Sequence, residues 1–68
     1  MTYNIIETAG LYPNTRKNVL ANADSLADAI ALAHNMFVII DLERDPLNQH
    51  CADFYTVTGR VMSIEPRA

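Results

Sequence analysis

Glycine is scarce in this chain, at two residues in 68, and cysteine is scarcer still, at one. With only Gly10 and Gly59, no glycine-rich loop exists to wrap a phosphate. The lone Cys51 excludes an internal disulfide. Basic residues number five against eight acids, for a net charge of −3, and Arg16, Lys17, Arg44, Arg60 and Arg67 are dispersed rather than clustered. Affinity for nucleic acid comes mostly from neutralising phosphates, so this balance disfavours a nucleic-acid partner. Long apolar runs are missing as well. The longest strongly apolar run, Met36 to Ile40, falls far short of the roughly 20 residues that span a bilayer, and no membrane role is expected. The N-terminus lacks the basic, apolar and small-residue order of an export signal. Together with the single cysteine this gives a cytoplasmic expectation.

What is present is a core. Half of the residues are hydrophobic and 19% are charged, which suits a globular chain and is too apolar for a disordered one. Residues 1–68 make one small domain. A chain this short buries only about 60% of the surface that its unfolded form exposes. Disulfides, metals or partner chains commonly supplement such cores.

The clearest element is a helix beginning at Ser25. Ser25 with Asp28 resembles a capping box with a shortened acid, and Asp24 and Asp28 set negative charge at the positive end of the helix dipole. Leu26, Ala29, Ile30, Ala33, Met36 and Phe37 fall on one face, and Asp28, Ala31 and Asn35 on the other. Asn35 is a plausible stop. Thr2–Thr8 reads as a first strand, with Tyr3 and Ile5 on one face and Asn4 and Ile6 on the other. Gly10 and Pro13 break it. Asn18–Ala23 reads as a second strand, with a loop as the competing reading. Phe37–Glu43 reads as a central strand, apolar on both faces at first and then placing Ile40 and Leu42 inward. Arg44–Asp53 reads as a loop. Phe54–Val57 and Arg60–Ile64 form either a hairpin about Thr58-Gly59 or one strand bulged at Gly59. The expected fold is α+β, in the order ββαβββ: a small, single-layer, mainly antiparallel sheet with one amphipathic helix packed on one face. Tyr3, Ile39, Tyr55 and Met62 are candidates for an apolar second face.

Candidate chemistry is thin. His34, His50, Cys51 and Asp53 include metal-binding residue types but not the paired spacing of a zinc site. Cys51 with His50 or His34 has no cationic neighbour in sequence to make a thiolate. Asp41, Glu43 and Asp45 open like a calcium loop, yet Pro46 stands where glycine is needed and Ala52 where the bidentate acid belongs. Paired carboxylates would need a pocket that separates their pKa values, for which a thin domain has little volume. Arg60, Arg16 and Lys17 with Tyr3, Tyr12 and Tyr55 could form a stacking and phosphate surface, but Asp41, Glu43 and Asp53 share the neighbourhood and repel phosphate. No catalytic, cofactor or metal residues are assigned, and the chain is not expected to be an enzyme. The expectation is a non-catalytic protein-interaction module acting on a protein partner or on itself as a homodimer. The alternative is a small regulatory protein acting on nucleic acid or inhibiting an enzyme.

Overall fold

The computed structural model describes residues 2–11 and 13–67. Strands β1 (Tyr3–Ala9), β2 (Arg16–Ala23), β3 (Ile39–Arg44), β4 (Ala52–Thr56) and β5 (Val61–Pro66) form one sheet, and helix α1 (Leu26–Met36) joins β2 to β3. The strand order is β2-β1-β5-β4-β3, and every neighbouring pair is antiparallel. Asn18–Ala23 is therefore part of a strand, and the α+β arrangement read from the sequence is the one observed.

Helix α1 starts because Ser25 is extended and its hydroxyl accepts from the Asp28 backbone N–H. It stops where Phe37 turns extended, donating its N–H to the Ala33 carbonyl. Leu26, Ala29 and Ala33 are buried against the sheet. The two alanines let the helix axis come close to Ile5, Phe54, Met62 and Ile64, the largest fully buried side chains. Ile30, Leu32 and Phe37 pack around the margin of this core. Met36, assigned to the buried face by its spacing, is instead exposed at the last turn.

Both edge strands carry an extra residue. On β2 the register steps from Ala21, opposite Ile5, to Val19, opposite Ile6, so Leu20 is the insertion. On β3, Ile39 faces Thr56 and Leu42 faces Phe54, so Ile40 and Asp41 share the space opposite Tyr55. Each bulge shifts the alternation of its strand by one. Val19 and Ala21 consequently lie on opposite faces, although simple alternation puts them together. Ile39 and Leu42 face the core, and Ile40 is 58% exposed rather than inward.

Three further expectations are corrected. The Phe37–Glu43 segment is not a central strand. Its pairing begins at Ile39 and it lies at the edge, while β5 occupies the centre. Its β-branched run reads as doubly buried, but Val38 and Ile40 are left to solvent. Tyr3, Ile39 and Met62 belong to the helix-covered core, because their cross-strand partners Pro66, Thr56 and Phe54 fix their face. Only Tyr55 of the four proposed second-face residues is on the open side. Finally, β4 and β5 form a hairpin with three linking residues rather than two. Thr56 donates its N–H to the Arg60 carbonyl at 3.1 Å, and Gly59 takes φ +84°, a geometry suited to a three-residue loop closed by glycine.

Candidate functional site

The sheet face away from α1 is built by register alone. One line of cross-strand neighbours runs Lys17, Thr8, Val61, Tyr55 and then the Ile40–Asp41 bulge. The next runs Val19, Ile6, Ser63, Asp53 and Glu43. Ile6 is buried within this layer, whereas Val19, Val61, Tyr55 and Ile40 remain largely exposed. Val38 and Val57, joined by a backbone hydrogen bond of 2.9 Å, extend the apolar strip beyond the end of the β3–β4 ladder, and both are exposed.

Small Ser63 at the centre leaves a groove of about 330 Å³ along β5, with Thr8 and Lys17 on one side and Asp53 and Tyr55 on the other. Glu65 closes one end. It accepts from the Ser63 hydroxyl at 3.0 Å and faces the Lys17 ammonium at 3.6 Å. Glu43 and Asp53 are direct cross-strand partners. Among the described residues the ion pairs are Lys17–Glu65 and Arg60–Glu7, so neither carboxylate of the Glu43–Asp53 pair is neutralised. Like charges directly opposite on adjacent strands are destabilising.

The residues singled out from sequence are scattered. His34 is exposed on α1. His50 Nδ1 shares a 3.0 Å hydrogen bond with the Tyr3 hydroxyl. Among the described residues no three His, Cys, Asp or Glu side chains converge on a common point. The Cys51 thiol is pushed up from its ordinary pKa, first by burial and then by the negative field of Glu65, Asp45 and Asp53. A thiol so placed stays protonated near neutral pH and is a poor nucleophile. Asp45 caps its own loop instead of ligating a cation, accepting from the Leu47 N–H at 2.8 Å. Neighbouring Asn48 accepts from the His50 N–H at 3.0 Å. This loop reaches Tyr3 on the helix side and leaves Tyr55 and Val61 uncovered.

The stacking and phosphate surface does not assemble among the described residues. Tyr3 is buried on the helix side, while Tyr55 is on the open face. The Arg60 guanidinium is held by Glu7 through bonds of 2.6 and 2.8 Å and lies 5.0 Å from the centre of the Phe37 ring. Tyr12 lies outside the described residues. Of the residues that shape the open face, sequence reading places Ile6 on the face opposite Tyr3 and groups Lys17 with a phosphate surface, but it does not single out Ser63 or Glu65, nor the Lys17–Glu65 pair. They are far apart along the chain, and only the pairing of β2, β1 and β5 brings them together.

The chain matches no protein-family model, no curated protein and no solved structure. Among the described residues no helix is long and apolar enough to cross a membrane.

Proposed function

We propose that this chain is a non-catalytic protein-interaction module that docks a partner on the open face of its sheet. The observation that carries this is the exposed, contiguous line of Val61, Tyr55 and Ile40 beside the Ser63 groove. An apolar patch framed by polar residues is a feature of binding surfaces. The edges are poorer candidates. Bulges at Leu20 and at Ile40–Asp41 twist and interrupt them, a recognised device against strand-to-strand pairing. The protonated Cys51 thiol and the solvated histidine of α1 support the absence of catalysis. A nucleic-acid partner is disfavoured because Tyr55 shares its face with Asp53 and Glu43, which repel phosphate.

A two-hybrid selection tests this. Partners found with the native chain should be lost with Tyr55→Asp, which places a charge in the apolar strip. They should be kept with Ala31→Asp on the exposed side of α1. Partners that tolerate Tyr55→Asp, or that depend only on the outer side of α1, would overturn the assignment.

A further inference from the structure

The open face does not treat all occupants alike, because its charge is one-sided. Among the described strand residues, Glu43, Asp53 and Glu65 stand there with the ammonium of Lys17, and Lys17 is already beside Glu65. Glu43 and Asp53 face each other across β3 and β4, in an arrangement that the isolated fold gains nothing from. A cation laid between them would turn that repulsion into attraction. Next to these acids are Tyr55, 53% exposed, and Val61, 45% exposed. They offer an aromatic face and an aliphatic wall to the stem of a long basic side chain.

We infer that the occupant of this face is a basic, amphipathic segment of a partner protein, with an arginine laid along the Ser63 groove toward Asp53 and apolar side chains set on Tyr55, Val61 and Ile40. This rests on the interaction reading of the same face and specifies its partner. The groove, about 330 Å³, is at the bottom of the range of about 300–1,000 Å³ that encloses small molecules. It suits a side chain entering from solvent better than an enclosed cofactor. Arginine fits better than lysine because a planar fork can bridge carboxylates and stack on the tyrosine ring together. A second copy would bring two acidic faces together, and nucleic acid or an anionic lipid surface would be repelled.

The test uses the whole chain, isotopically labelled, titrated with two synthetic amphipathic helices of about 18 residues, long enough for a continuous apolar face. One is built from leucine and arginine and the other from leucine and glutamate. The arginine peptide should shift the amides of Asp53, Tyr55, Val61 and Ser63, and the glutamate peptide should leave them in place. Replacing both acids (Glu43→Gln with Asp53→Asn) should weaken the arginine peptide by about tenfold or more, the scale of losing charge-assisted hydrogen bonds. The same loss of charge at the start of the helix (Asp24→Asn with Asp28→Asn) should leave binding near the native value. These four carboxylates are exposed, so circular dichroism should confirm that both variants fold. Equal binding of the two peptides, equal loss in the two double variants, or shifts confined to α1 would overturn the inference. So would a dimer that sedimentation equilibrium finds in dilute buffer and that Tyr55→Asp dissolves. If two-hybrid partners are lost with Tyr55→Asp while the arginine peptide shows no preference, the interaction reading stands and the basic partner falls.

Discussion

Glu7 and Arg60 show how much of this protein resides in pairs that no local pattern reveals. The Arg60 fork holds both oxygens of the Glu7 carboxylate, and these hydrogen bonds set its pKa below the ordinary value, against the smaller opposing effect of burial. Because the folded value is the depressed one, the native state keeps this proton off more readily than the unfolded chain does. The contribution to stability is therefore complete above the ordinary glutamate pKa, about 4.3. It fades as pH falls through the lower, folded value. The native chain should surpass Glu7→Gln in urea midpoint near neutral pH, and the gap should narrow steadily on acidification. A gap that does not change with pH would show that the ion pair contributes nothing beyond the shape of the side chain. Sequence alone groups Arg60 with a phosphate-binding surface, since nothing between residues 7 and 60 announces that β1 and β5 are neighbours.

At the scale of elements, local signals were legible where local chemistry decides the outcome. Ser25 at a helix start and alanines at helical spacing act through neighbours in sequence, and both are where expected; of the two readings at Gly59, the hairpin is the one observed, with one more linking residue. The two glycines nevertheless differ in what their turns demand. Both have positive φ, +90° at Gly10 and +84° at Gly59. A methyl group at Gly10 would lie 2.8 Å from the Asn14 carbonyl oxygen, whereas one at Gly59 meets nothing within 4 Å. Gly59→Ala should therefore cost about 1–2 kcal/mol, the usual penalty for a left-handed residue with a side chain. Gly10→Ala should cost more, because backbone must also move. Urea titration of the two variants checks the order, and a smaller loss at Gly10 would mean that its turn opens freely. The bulges had no such local signature. Leu20 and Ile40 are ordinary strand residues, and an insertion is visible only against the partner strand. Period-two alternation therefore puts Val19 and Ile40 with the wrong neighbours or on the wrong face.

For the molecule as a whole, the sequence correctly implied one helix over one sheet, and hence one side left without a covering layer. It did not reveal which residues form that side, because this depends on strand order and on both bulges. The resulting face is apolar along Val61, Tyr55 and Ile40 and acidic along Asp53 and Glu43, and the two properties respond to salt in opposite ways. Apolar contact between two copies is opposed by the like charges of their faces. Raising salt shortens the screening length from about 10 Å at 0.1 M to about 3 Å at 1 M and removes that opposition. A basic partner loses its attraction over the same range. The chain should therefore sediment as a monomer in dilute buffer and self-associate only as salt rises. Glu43→Gln with Asp53→Asn should shift that association to lower salt. The contrary result, a dimer strongest in dilute buffer and dissolved by salt, has a definite structural meaning. A two-fold axis along β5 would carry Lys17 of one copy over the Ile40–Asp41 bulge of the other, pairing opposite charges across the interface. Sedimentation equilibrium at low and high salt separates these two arrangements of the same surface by the sign of a single slope.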